Sequence, residues 1–371
     1  MSFKKWLSLF LTSFFIIIGG VYFVNFLIDQ SGFFRPKYYL ETIPAGSQRR
    51  TKPSFIASNP EKFSCVIIGG SNAGFLRTKT VQELTGQSCF NSYVTSGFFG
   101  DYLCLVNFYT KTMPNLNEII LNISNNEIEF EHNTKKHDYM AMPIYLCKKI
   151  ELVPLLKSLS KIPSIKTIIN LLRKNPKQGA SSDTEFGEQP HDELYDEEQM
   201  KKAVLEANGN FHDRIQNLCT TEKRNLPYLK QSLAELQEIK NICDSRGIKL
   251  TVMIGAVFIS KKEWFESNEF YDWLREISQI TEFYDFSGFN EINLNPYNFF
   301  DANHFNKNLG DKMLRIIYGA EEFQNFGEKI TRANIESYLE RRRTDYEKVK
   351  EEFENTGTIK LFDKSHSSYV E

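Results

Sequence analysis

With 371 residues, 41% of them apolar and 25% charged, the chain has the size and balance for one large globular domain or two ordinary ones. A formal net charge of −2 supplies no basic field for nucleic acid, which excludes that partner on electrostatic grounds. Six scattered cysteines contain no C-x-x-C pair, so zinc-site spacing is missing and no metal or cofactor is expected.

From Trp6 to Ile28 no residue is charged. At 1.5 Å per residue the run crosses a bilayer core of about 30 Å. It is longer than the apolar part of a signal peptide, and no A-x-A-like site follows, which predicts an uncleaved anchor. Lys4, Lys5 and the free amino end favour a cytoplasmic N-terminus with the bulk of the chain outside, while Arg35, Lys37, Arg49 and Arg50 weigh the other way.

Residues 30–60 read as an irregular stalk. FSCVIIGG (63–70) predicts a buried strand ending in glycines, 76–86 a helix, SCFNSYV (88–94) a second strand, 100–113 a helix, and NEIILNI (117–123) a third strand. Cys65 and Cys89, inside strand-like runs, are expected to be buried core residues, and one or two disulfides are allowed in an oxidising compartment. Residues 143–177 are basic, with Leu152, Leu155, Leu156 and Leu159 at helical spacing and Pro154 and Pro163 dividing the stretch into short helices. Such a stretch is either a helical insert with a solvated basic face or an element that lies on a lipid surface or docks a partner. Residues 178–200 are acid-rich, without Lys or Arg, and predict a mobile surface loop.

The strand–helix rhythm resumes with a helix over 225–246, a strand over 248–258, a helix over 261–280, a short strand over 281–288 and a helix from 309. An amphipathic helix over 331–355 is expected to pack on the domain or on a partner. The alternation predicts an α/β domain with a parallel sheet. The organisation is thus a cytoplasmic end and anchor over 1–29, a stalk over 30–60, the α/β domain over 61–320 with an insert at about 143–200, and a C-terminal helix and tail over 321–371.

Two segments carry chemistry. Gly69-Gly70-Ser71-Asn72-Ala73-Gly74 puts a serine among small residues at the carboxyl edge of the sheet, where open α/β sheets bind ligands. No G-K-[ST] follows, so it is no P-loop. Asp301-Ala302-Asn303-His304 offers a base and a carboxylate to orient it, on a loop or a first helical turn. His132 and His137 read as a solvated loop, and His191, His212 and His366 have no chemical setting.

Gly-x-Ser after the first strand and Asp-x-x-His before the last domain helix are the end blocks of SGNH (GDSL-like) hydrolases, and residues 63–319 resemble that family in the expected order. The resemblance is sharpest at YDFSGFN, NPYNFFDANHFN and GDKML. It extends to membrane-anchored SGNH-like proteins of bacterial cell-surface polymer modification, such as the D-alanyl transfer protein of teichoic acid and polysaccharide O-acetyltransferases. It implies a three-layer α/β/α domain with Ser71 as nucleophile, His304 as base and Asp301 as its orienter. It also implies an oxyanion hole from the N–H groups of Ser71 and Gly97 and the side chain of Asn125, with Asn122 as the second choice. Gly70 stands where the family has Asp, and Ile123 and Asn126 stand where it has the Gly and Asp of G-x-N-D.

The implied activity is serine-dependent acyl transfer or ester hydrolysis on an exported glycopolymer. The implied partners are that polymer as acceptor, a membrane-bound acyl-donor protein and the membrane lipid surface. The alternative is a non-catalytic assembly protein that keeps the fold and docks a membrane partner through residues 143–177.

Overall fold

The computed structural model of the protein describes residues 1–29, 32–36, 43, 47–124, 128, 142–147, 152–160, 184, 186–190, 197–206, 211, 227–258, 267–322, 325–357 and 359–361. They belong to two compact units, Met1–Asn59 with His132–Ser181, and Pro60–Glu131 with Ser182–Glu371.

The first unit contains the apolar helix Phe3–Ile28, long and apolar enough to cross a membrane, with Phe, Leu and Ile side chains exposed along it. It stops at Asp29, which adopts a left-handed conformation (φ 43°). The Asp29 carboxylate then accepts N–H bonds from Phe33, Phe34 and Arg35 at 2.8, 3.1 and 3.0 Å. Arg35 Nη2 donates back to the carbonyls of Phe26 and Leu27 at 2.8 and 2.7 Å, satisfying terminal acceptors that the helix cannot. Part of the expected stalk is ordered as helix Gln48–Ser58, with Phe55 and Ile56 buried. One adjacent apolar pair sets no helical period, and Pro53 inside the helix reads as a break, so the pattern is silent there. Helix Leu152–Ser160 likewise carries position 154 in its first turn, where a proline forfeits only an N–H that has no intrahelical acceptor. Pro154 therefore does not divide the stretch.

The second unit is built on a six-stranded sheet: β1 (Cys65–Gly69), β2 (Cys89–Asn91), β3 (Glu118–Ile123), β4 (Lys249–Ile254), β5 (Phe283–Asp285) and β8 (Glu328–Ile330), in the order β2-β1-β3-β4-β5-β8. The first five are parallel; β8 is an unforeseen antiparallel edge strand against β5. β1 and β3 are buried throughout, which is why they read as continuous aliphatic runs rather than alternating ones. A separate hairpin pairs β6 (Phe299–Asp301) with β7 (His304–Phe305). Helix Leu229–Ser245 packs on Phe99–Thr112 and on Asn268–Ile280, which in turn meets Ile335–Thr356; helix Thr78–Thr85 packs on Lys307–Ile317. The C-terminal helix is fixed to the domain by buried Arg342, whose Nη1 donates to Ser287 Oγ at 2.9 Å and lies 3.3 Å from the Asp285 carboxylate.

Two expectations change. Cys65 and Cys89 are not merely core residues: the parallel register sets them side by side, with Cα atoms 4.3 Å apart, and they form a disulfide. Among the described residues Cys243 is free and buried. The acidic segment is in part docked rather than loose. Asn91 N–H donates to Phe186 O at 2.8 Å, and Glu188 Oε1 accepts from Thr78 N–H and Oγ1, each at 2.6 Å. Helix Glu197–Leu205 begins within the same stretch. An acid that caps a helix start is a partner, which composition alone cannot distinguish from a solvated charge.

Candidate active site

The sheet order places the chain's direction change between β1 and β3. From β1 the chain moves outward to β2, then returns to the other side of β1 as β3. The carboxyl ends of β1 and β3 meet at this switch point, the usual ligand position in open parallel sheets. A small cleft occupies it, lined by Gly70, Ser71 and Asn72 after β1, Ser96 and Gly97 after β2, and Asn122 and Ser124 at the end of β3.

Ser71 opens a 3₁₀ turn, Ser71–Phe75, directly after the strand. The turn needs small residues for a geometric reason. A Cβ on Gly69 would lie 2.5 Å from the Asn122 carbonyl and 2.8 Å from Ala73 Cβ, so glycine allows β1, β3 and the turn to converge. Across the cleft, Ser96 takes a left-handed conformation (φ 50°), and a Cβ on Gly97 would meet the Tyr102 ring at 2.7 Å.

The base arrives from the hairpin. Asp301 and His304 are cross-strand partners flanking the two-residue turn Ala302–Asn303. Residues at the two ends of such a turn project on one face, so Asp-x-x-His spacing brings carboxylate and ring together. This is a hairpin, not the loop or helical turn anticipated. His304 Nδ1 lies 2.9 Å from both Asp301 oxygens, and Nε2 lies 2.8 Å from Ser71 Oγ. Asp301 Oδ1 also accepts the N–H groups of Asn303 and His304 at 2.7 and 3.0 Å. Burial alone would push the Asp301 carboxyl up; the hydrogen bond and charge of His304, with the two backbone N–H groups, outweigh it and hold the group below its ordinary value. An ionised Asp301 fixes the tautomer with the proton on Nδ1, leaving Nε2 to accept from Ser71 Oγ.

Neighbouring groups hold the two halves in register. The Phe75 ring packs on His304 with centroids 5.6 Å apart. Arg77 pairs with Asp311, and Thr80 Oγ1 donates to the same carboxylate at 2.5 Å. A Cβ on Gly310 would approach the Phe75 carbonyl to 2.5 Å, so glycine lets helix Lys307–Ile317 lie against the serine turn. Asn306 caps that helix through Leu309 N–H at 2.9 Å and reaches back to the Tyr297 carbonyl at 2.9 Å. The asparagines of the sharpest sequence block thus tie irregular backbone together.

The structure brings Ser71, Asp301, His304 and Gly97 to one site. Asn125 lies outside the described residues, as do His132, His137, His191, His212 and His366. Asn122 lines the cleft, 2% exposed, its side chain confined beside Gly255, where a Cβ would come within 2.9 Å of Oδ1. Its Oδ1, and that of neighbouring Asn72, are buried without a hydrogen-bond partner. A buried polar atom in that state costs about 1–3 kcal/mol, and two at one cleft mark a place organised for a ligand. Sequence reading missed Asn72, Ser96 and Ser124 as cleft residues; their signal is adjacency to the strand ends. Among the described residues no cluster of His, Cys, Asp and Glu could hold a metal ion. Comparison of the chain with protein-family models, with curated proteins and with solved structures returned no match.

Proposed function

We propose that the chain is a membrane-anchored serine acyltransferase or esterase of SGNH type, acting on an exported cell-surface polysaccharide or related glycopolymer through an acyl-serine intermediate. The observation that carries this is the unbroken hydrogen-bond chain from Asp301 through His304 to Ser71 at the mouth of the cleft. Two separate groups of helices around a mostly parallel sheet support the three-layer SGNH architecture. The anchor and the Cys65–Cys89 disulfide support an extracytoplasmic site with the N-terminus in the cytoplasm.

In this mechanism His304 Nε2 takes the Ser71 proton as Oγ attacks the acyl carbonyl. The oxyanion is held by the N–H groups of Ser71 and Gly97 and by the amide of Asn122, which here takes the role first given to Asn125. Such a donor is worth about 10²–10³ in rate. Collapse of the tetrahedral intermediate expels the donor's leaving group, which receives the proton from His304. A polymer hydroxyl or water then gives its proton to His304 and attacks the acyl-serine, and Ser71 regains its proton as the acyl group departs. The acyl donor is a membrane-bound carrier protein, and the anchor keeps the site at the surface where exported polymers emerge.

A fluorophosphonate probe tests the reading. The expected result is one label on Ser71, lost in Ser71→Ala and His304→Ala while the fold persists. Equal labelling of the folded Ser71→Ala variant, or no label on the folded wild type, contradicts it.

A further inference from the structure

Asn25 is a polar residue near the C-terminal end of the anchor helix, and it is buried although Phe23, Val24, Phe26 and Leu27 around it are exposed. Its Nδ2 donates to the Leu159 carbonyl at 2.5 Å. That carbonyl belongs to the last turn of helix Leu152–Ser160, where C=O groups have no intrahelical donor. One hydrogen bond therefore satisfies a polar side chain in an apolar helix and an open helix end, and it docks the short helix against the anchor.

The docked helix presents apolar residues outward. Leu152 is 64% exposed, Val153 40% and Leu156 42%, with exposed Lys157 beside them. Leu155 and Leu159, on the adjoining arc, are half-buried. A helix facing water would show the reverse order. Helix Leu152–Ser160 packs on the anchor helix, so the exposed aliphatic side chains of both belong to one packed pair. Depth is consistent with this. A bilayer core of about 30 Å takes about 20 residues, so a span counted from Trp6 ends near Asn25. Exposed Arg35, folded back on the helix end, lies at the same level.

We infer that helix Leu152–Ser160 is an interfacial helix, lying in the leaflet where the anchor emerges, with Leu152, Val153 and Leu156 among acyl chains and Lys157 and Arg35 at the phosphates. The partner is the lipid surface itself. Helices of this kind bury their apolar face at the headgroup–acyl boundary and favour anionic lipid. This rests on the reading of Phe3–Ile28 as a membrane anchor, and it is independent of acyl chemistry at Ser71. It adds a second membrane contact to that of the anchor.

Photocrosslinking of the full chain in vesicles of phosphatidylglycerol and phosphatidylethanolamine tests it. p-Benzoylphenylalanine is placed singly at Leu156, at Leu152 in case the first substitution misfolds, at Phe23 within the anchor, and at exposed Glu340. Lipid adducts are expected at 156 and 152 as at 23, and none at 340. An adduct at 23 with none at 156 or 152, or crosslinks from 156 to a second copy, overturns the interfacial helix alone. No adduct at any of the three overturns the anchor and the interfacial helix together. Fluorophosphonate labelling of the same vesicles reads the Ser71 chemistry separately.

Discussion

The two ends of the sheet are finished in opposite ways. At the amino ends, Cys65 and Cys89 are joined covalently. Beside them the buried Glu118 carboxylate accepts from Thr251 Oγ1 at 2.7 Å, Lys249 Nζ at 2.9 Å and Gln87 Nε2 at 3.1 Å, while Gln87 Oε1 and the hydroxyl of neighbouring Tyr318 are left unmatched. At the carboxyl ends of β1 and β3, Asn72 and Asn122 keep acceptors without partners around Ser71. Both ends keep unmatched polar atoms, but one is tied by a covalent bond and a shared carboxylate, while at the other the unmatched acceptors line a cleft around a serine, which is the expected signature of a reacting end. Substitutions should therefore separate cleanly: loss of turnover with little unfolding at the carboxyl end, and unfolding with intact chemistry at the amino end.

The largest effects belong to the relay. Ser71→Ala and His304→Ala should each reduce acyl-ester turnover by roughly 10⁴–10⁶, with a thermal midpoint close to that of wild type by calorimetry. Asp301→Asn should cost about 10⁴ by presenting the wrong tautomer to Ser71. The same residue sets a pH dependence. Its folded carboxyl is held below the ordinary value, so it stabilises the fold above that value and loses the contribution as pH falls through the lowered one. Acid titration of unfolding should show a drop below about pH 4 that is shallower in Asp301→Asn. Identical acid profiles would remove the stated environment of Asp301.

Asn122→Ala should lower kcat by about 10²–10³ with little change in KM, and it should not destabilise, because the side chain's Oδ1 has no protein partner to lose. A stability loss without a rate effect would turn Asn122 into a packing residue. At the other end, Cys65→Ala with Cys89→Ala should cost about 2–4 kcal/mol, given the 24-residue separation of the pair, with kcat retained in the folded fraction. Glu118→Ala should cost about 1–3 kcal/mol by stranding Thr251 and Gln87, again without a rate effect. A rate loss from either, at a temperature where the protein stays folded, would blur the division between the two ends.

Much of this was legible in sequence. The aliphatic runs of β1, β3 and β4 mark parallel strands because burial on both faces leaves them no polar alternation. Asp-x-x-His is legible because its spacing is a cross-strand pair, although its hairpin context was not. What stayed hidden depends on register or on distant neighbours. Nothing at Cys65 tells that β2 will set Cys89 beside it. Nothing at Glu188 tells that it will cap a helix more than a hundred residues earlier. Helix Gln48–Ser58 carries too few apolar residues to announce itself, and β8 is a three-residue strand whose only signal is its partner. Asn122, the second choice of the motif, lines the cleft, whereas Asn125 lies outside the described residues.

The central claim is that Ser71 Oγ is a nucleophile made competent by His304. Single-turnover reaction of the full chain with p-nitrophenyl acetate, followed by peptide mass spectrometry, tests it most directly. The account predicts a nitrophenol burst stoichiometric with protein and one acetyl group on Ser71, both absent in His304→Ala. A folded wild-type chain that gives no burst, or that carries the acetyl group on another residue, contradicts it.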